Sequence, residues 1–170
     1  MGLFYGCSSL IEVDCTRFNT ENDIQTSSMF MRCQELKKIK HKFNFPKITE
    51  MDNMFTECEK LENVDLSKCT TSNSLTNIED MFSNCLNLKS IDLSKFNCSN
   101  VINLGYLFYL CESLTKVILP KNFNKDIIKS SCLVFSECHS LKEENIIIVK
   151  DFYEYLKDNF LEKAEEEGEA

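Results

Sequence analysis

The chain has little of what turns and cofactor loops require. Its 170 residues include four Gly, two Pro and no Trp. With so few glycines there is no G-x-G-x-x-G or Walker-type loop, so nucleotide-binding folds built on those loops are not expected. Long apolar runs are also missing. Ile146-Ile147-Ile148-Val149 is among the longest, far short of the roughly 20 residues that span a bilayer. No charged n-region precedes an apolar h-region, so no signal peptide is expected. Basic charge is scarce as well. The net charge is −8, and residues 143–170 alone carry −7, leaving −1 for residues 1–142. A nucleic-acid partner, which needs a basic face, is not expected. Only two histidines occur, His41 and His139.

Cysteine is abundant, and its placement is regular. Cys7, Cys33, Cys58, Cys85, Cys111 and Cys138 follow one another at 26, 25, 27, 26 and 27 residues. Three residues before each stands Phe4, Phe30, Phe55, Phe82, Phe108 or Phe135, and three after each stands a leucine, Leu10 through Leu141. In the first five copies Val13, Ile39, Val64, Ile91 or Val117 follows. The unit reads F-x-x-C-x-x-L-x-x-[IV]-x-L, a repeat of 25–27 residues.

The end of the unit alternates, as in Leu88, Ile91 and Leu93. That pattern predicts one short half-buried strand per copy. A different stripe precedes the phenylalanine. Val101, Leu104, Leu107 and Phe108 fall at i, i+3, i+6 and i+7, as do Leu75, Ile78, Met81 and Phe82. This predicts a short helix per copy, with Asn100 and Thr49/Glu50 placed to begin one. One strand and one helix cannot bury both apolar faces alone, so the copies must stack. The expected fold is an α/β solenoid of about six repeats. Parallel strands would line the concave face and short helices the convex face.

The run Met81-Phe82-Ser83-Asn84-Cys85-Leu86-Asn87-Leu88-Lys89-Ser90-Ile91-Asp92-Leu93-Ser94-Lys95-Phe96-Asn97 resembles the BspA-like, or treponemal-class, leucine-rich repeats. Leu119-Pro120 resembles the L-P ending of that class. The resemblance covers residues 3–142 and implies protein binding or adhesion, with no shared catalytic residues. The second copy departs from the pattern with Lys40-His41 in place of Asp-Leu, and the sixth has Glu144 in the β-branched slot.

Residues 1–142 are expected to form the repeat region. Residues 143–170 should supply a terminal strand at Ile146–Val149, a capping helix over 151–163 with Phe152, Tyr155, Leu156 and Phe160 at helical spacing, and an acidic tail. The first copy begins at once with Leu3 and Phe4, so a longer chain or a partner is expected to cover it.

The ten cysteines contain no C-x-x-C pair, so zinc is not expected. The six repeat cysteines read as a ladder of small buried hydrophobes. Free thiols and the lack of a signal peptide favour a reducing cytoplasmic setting, or the cell surface if the chain is a fragment. Nucleophilic catalysis needs a base within reach of the nucleophile. Cys138-His139 are adjacent, and adjacent side chains usually diverge, so no catalytic residue, cofactor or metal is expected. The outward strand positions are the binding candidates: Glu12, Asp14, Lys38, Lys40, Asn63, Asp65, Ser90, Asp92, Lys116 and Ile118, with Leu3 and Phe4 at the first copy. Asp14, Asp65 and Asp92 recur with the motif, so a supporting role in the following turn is the competing reading. The functional expectation is a non-enzymatic protein-interaction module, without nucleic-acid or membrane partners. The alternatives are a cell-surface adhesin fragment and a structural subunit of a large assembly.

Overall fold

The computed structural model describes residues 2–20 and 26–157. The alternating segments form short strands: β1 (Glu12–Asp14), β2 (Lys38–Lys40), β3 (Ser90–Asp92), β4 (Lys116–Ile118) and β5 (Ile146–Ile147). Each of the first four centres on one β-branched residue that turns inward, partly buried at Val13 and buried at Ile39, Ile91 and Val117, while its neighbours turn out. All pairing is parallel. β1 pairs with β2, aligning Val13 with Ile39, and β3 pairs with β4, aligning Ile91 with Val117. β5 pairs with β4 through Ile146 and Ile147, as the late apolar run of the sixth copy predicts.

The strand side is not continuous. Residues 63–65, which carry Asn63, Val64 and Asp65, form no strand, so a two-stranded and a three-stranded sheet flank them. The atypical Lys40-His41 falls at the last rung before this break. The His41 ring, in a slot that the next three copies fill with Leu66, Leu93 and Leu119, stacks on Phe43 at 4.5 Å.

The expected helices before each phenylalanine do not form. Those segments are chains of overlapping four-residue turns. Cys33, Cys58, Cys85 and Cys111 N–H groups donate to the carbonyls of Phe30, Phe55, Phe82 and Phe108, three residues back. Alternate N–H groups instead cross to the next rung. Those of Phe30, Phe55, Phe82 and Phe108 reach the carbonyls of Met54, Met81, Leu107 and Val134 at 2.9–3.0 Å. To switch between the two directions the backbone turns left-handed every fourth residue. Ser28 and Arg32, Asn53 and Glu57, Asp80 and Asn84, Tyr106 and Leu110, and Leu133 and Glu137 have φ between 52° and 63°. Gly6 takes the same place on the first rung, with φ 72°. The inward stripe is real, since Val101, Leu104, Leu107 and Phe108 are fully buried, but turns deliver it. Asn100 therefore starts no helix; its amide donates to the Asn73 carbonyl of the preceding rung.

Between the two sides lies one apolar core running from Cys15 to Leu156. Phe4, Phe30, Phe55, Phe82, Phe108 and Phe135 stack face to face in a column, with centroids 5.1–5.6 Å apart and planes within 13°. That spacing matches offset aromatic stacking. Beside it the thiols of Cys33, Cys58, Cys85, Cys111 and Cys138 each donate to the carbonyl of the phenylalanine one rung back, at 3.0–3.1 Å. These five are buried, whereas Cys7 is exposed and Cys132 partly so. Cys7 thus departs from the expectation of six buried thiols.

At the far end residues 150–157 are helical. Phe152 and Leu156 are buried there, and Phe152 stacks on Phe123 at 4.5 Å. Tyr155 packs on the same core. Phe160 and the acidic tail lie outside the described residues.

Candidate functional site

The outward strand positions project from successive parallel rungs. Glu12, Asp14, Lys38, Lys40, Asn63, Asp65, Ser90 and Lys116 are exposed, and Asp92 and Ile118 are half-buried. Register pairs Glu12 with Lys38 and Asp14 with Lys40, so acid faces base across β1 and β2. From the break onward, Asn63, Asp65, Ser90, Asp92, Lys116 and Ile118 line one open groove of about 290 Å³. The structure therefore brings six of the predicted residues together. Glu12, Asp14, Lys38 and Lys40 form a separate patch on the two-stranded sheet. Leu3, 65% exposed, and the half-buried Phe4 lie on the opposite, turn-built side of the first rung, away from the strands.

The recurring aspartates have a structural task. Asp14 Oδ1 accepts from the N–H and hydroxyl of Thr16, and Asp65 Oδ1 accepts from the same two groups of Ser67. Asp92 Oδ1 accepts from Ser94 N–H. These bonds hold the turn that ends each strand. They keep the Asp14 and Asp65 carboxyls below the usual carboxylate range, with smaller help from Lys40 for Asp14 and from His41 and Lys68 for Asp65. Among the described residues Lys38, Lys40 and Lys116 make no hydrogen bond or ion pair through their ammonium groups.

Chemistry by the buried thiols is unfavourable. Burial pushes Cys33 up to about 11 and Cys138 up to about 12, and raises Cys85 and Cys111 well above the ordinary value. A buried protonated thiol is inert. Cys138 and His139 diverge: the thiol turns inward to the Phe108 carbonyl, while His139 Nε2 meets Glu137 at 3.1 Å in solvent. Among the described residues no group of three or more His, Cys, Asp or Glu side chains could hold a metal ion. No helix among them is long and apolar enough to cross a membrane.

Sequence reading missed one feature beside the strand face. A larger groove of about 660 Å³ lies where the turns after β3 and β4 meet β5. The exposed Ile147 and Val149 were its only signal, and as part of an apolar run they read as a strand.

No curated protein matches the chain. Two solved structures align with the chain. A leucine-rich repeat protein of T. pallidum aligns over 90% of this chain and 73% of its own, at 22% identity and a TM-score of 0.45. A leucine-rich cell surface protein of Faecalibacterium prausnitzii A2-165 aligns over 86% of this chain and 50% of its own, at 15% identity and a TM-score of 0.38. The model of one protein family matches residues 24–147. With that match over most of its length, the chain belongs to the family described as Mycoplasma protein of unknown function, DUF285, which is of the BspA-like leucine-rich type.

Proposed function

We propose that the chain is a leucine-rich-repeat solenoid whose activity is to bind another protein, without catalysis. Residues 1–142 form the repeat stack, and 143–170 finish it with a strand, a helix and an acidic tail. The partner lies along the concave strand side, with the first rung at Leu3 and Phe4 as a further contact.

One observation carries this reading: six outward residues from three successive rungs converge on a single open groove. A surface of this kind is broad and mixed in sign, with Lys116 beside Asp65 and Asp92. Mixed charge favours recognition of a specific protein surface over a uniform polyanion. The turn-bonded Oδ1 atoms leave the second carboxylate oxygens of Asp65 and Asp92 for the partner.

Affinity capture of the full chain with mass spectrometry identifies the partner. Charge reversal at Lys40, Asp65 and Asp92, in a variant verified as folded by circular dichroism, is expected to abolish capture. A charged residue in place of Leu3 tests the first rung separately. Capture that survives both sets and depends instead on residues 164–170 would place binding in the acidic tail. A fixed stoichiometry with a constant set of proteins would identify a structural subunit.

A further inference from the structure

We infer that the short turn after β2, held by His41, keeps residues 63–66 out of the sheet, so that the third rung is a latent strand whose opening shapes the strand groove. The inference rests on the protein-binding reading above and deepens it by naming the movable part of that surface. A backbone bond to the next rung closes the end of β1, β3 and β4. Cys15 N–H donates to the Lys40 carbonyl at 2.7 Å, Leu93 N–H to that of Ile118 at 2.8 Å, and Leu119 N–H to that of Ile147 at 2.9 Å. The two middle members of the series, His41 N–H to the Asp65 carbonyl and Leu66 N–H to the Asp92 carbonyl, do not form.

On either side of this gap the rungs are in register. Before it, Lys60 N–H reaches the Gln34 carbonyl and Lys89 N–H the Glu62 carbonyl; after it, Phe45 N–H reaches that of Thr70. The side chains within the gap already alternate as in a strand, Val64 and Leu66 buried, Asn63 and Asp65 exposed. Yet among the described residues the backbone groups of Asn63, Val64 and Asp65, and the Leu66 N–H, make no hydrogen bond. Unpaired backbone groups beside a buried side chain are costly, so something must hold the rung open.

One missing residue does so. The turn after the strand runs from Cys15 to Phe18, Leu66 to Cys69 and Leu93 to Phe96, three residues each, and its last N–H closes on its first carbonyl at 2.9–3.0 Å. The second turn runs only two residues, from His41 to Phe43, and no such bond closes it. Lys40 stands where the other three turns have Asp14, Asp65 and Asp92. His41 takes over their task one position later, its Nδ1 accepting from Phe43 N–H at 3.3 Å. The shortened, imidazole-capped turn draws the end of β2 toward Phe43 and takes the His41 N–H away from the Asp65 carbonyl. The third rung, released on that side, also leaves the Asp92 carbonyl unpaired.

The open rung lies inside the binding surface. Asn63, Val64, Asp65 and Leu66 all line the strand groove. Closing it restores two bonds, joins the β1–β2 patch to the groove in one sheet, and sets Asp65 beside Lys40, an opposite-charge pair between adjacent strands. A partner on this face therefore meets a floor with two arrangements, and its unequal affinity for them decides which is populated.

The test is amide hydrogen exchange, read residue by residue by NMR on the full chain without a partner. In the natural sequence the His41 and Leu66 amides are expected to exchange about 100-fold faster, or more, than those of Leu93 and Leu119. Two exchanged turns then move the gap. Lys40→Asp and His41→Leu, with a serine inserted before Lys42, give the second rung the turn of the fourth. The amides at positions 41 and 66 should then slow by about tenfold or more, with Leu119 unchanged. Leu93→His with Ser94 deleted gives the fourth rung the short turn, and the amide at position 93 should speed up by a similar factor. Folding of each variant is judged by retained protection of the Phe82 amide, which bonds the Leu107 carbonyl on the turn side. His41 and Leu66 amides as slow as those of Leu93 and Leu119 in the natural chain would overturn the inference, and that measurement decides alone if neither variant folds. A gap that stays in place in a folded variant would overturn it too. The protein-binding reading fails separately, through partner capture that ignores reversal at Asp65 and Asp92, a result that leaves the exchange pattern untouched.

Discussion

On the strand side, backbone pairing joins β1 to β2 and β3 to β4 and β5, and lapses at residues 63–65 between them. On the phenylalanine–cysteine side, direct N–H to carbonyl bonds link every described rung to the next, from Phe4 with Met29 to Phe108 with Val134. The first side faces solvent with charged residues. The second turns a phenylalanine and a thiol into the core on each rung from Phe30 to Phe108, with three further apolar side chains before the phenylalanine on the last three of these. A strand-lined stack can therefore tolerate a gap in its sheet when the opposite side is bonded throughout. The outward strand positions are thus free to vary without loss of stacking, which the turn side carries.

The largest test of that contrast pairs one substitution on each side. Phe82 is fully buried between Phe55 and Phe108, with centroids 5.4 and 5.5 Å away. Phe82→Ala is expected to cost about 3–5 kcal/mol in urea unfolding. Lys116→Ala, on exposed β4, should stay within about 0.5 kcal/mol. Equal costs would mean that the strand side contributes to stacking after all. A smaller effect tests the thiol column. Cys85 is buried and donates to the Phe55 carbonyl at 3.1 Å. Cys85→Ala should cost about 1 kcal/mol, and Cys85→Ser, which keeps a donor, should cost less. A serine variant much less stable than the alanine one would show that the site needs an apolar group and not a donor.

The same contrast explains what was legible in the sequence. Strand positions could be read because an alternating period of two has one meaning once a β-branched residue marks its centre, as at Ile91 and Val117. The turn side could not be read correctly from its period. Its inward residues, such as Ile78, Met81, Phe82 and Cys85, are spaced by one to three, and a helix would bury the same set. The distinguishing signal lay in the residues between. Asn53, Asp80, Asn84 and Gly6 belong to the types that tolerate a left-handed backbone, yet Arg32, Glu57, Tyr106 and Leu110 occupy equivalent places and conceal the rule. The turn role of Asp14, Asp65 and Asp92 was visible as a recurrence. The break at residues 63–65 was not, because Leu61, Val64 and Leu66 keep the full pattern and are buried as expected.

The rung before that break offers a pH-dependent test. His41 is half-buried and its Nδ1 accepts from Phe43 N–H at 3.3 Å. Burial lowers its pKa, with Asp65 opposing the shift. The folded chain thus binds the proton less readily than the unfolded chain, whose histidine titrates near about 6.5. Stability from this residue is complete above that value and falls as pH drops through the folded pKa. The melting temperature should decline between roughly pH 7 and pH 5, and His41→Leu should flatten the decline. A slope unchanged by His41→Leu would assign it to other groups. The carboxyls of Asp14 and Asp65, held low by their turn bonds, act only at more acid pH, below about 4.

The smallest test asks for opposite signs on the two sides. Glu137 is exposed and left-handed at φ 61°. That conformation costs an ordinary residue about 1–2 kcal/mol, which glycine avoids. Glycine in exchange loses about 0.5–1 kcal/mol more backbone entropy on folding. The pair with His139 is exposed on both partners and contributes little. Glu137→Gly should therefore raise stability, by under about 1 kcal/mol. Lys38 has no such strain in β2, so Lys38→Gly should lower stability by about 0.5–1 kcal/mol. Urea midpoints that move apart in this way would locate the backbone strain on the turn side. Midpoints that fall together would mean that the left-handed positions are not strained and that the turn chain needs its side chains there.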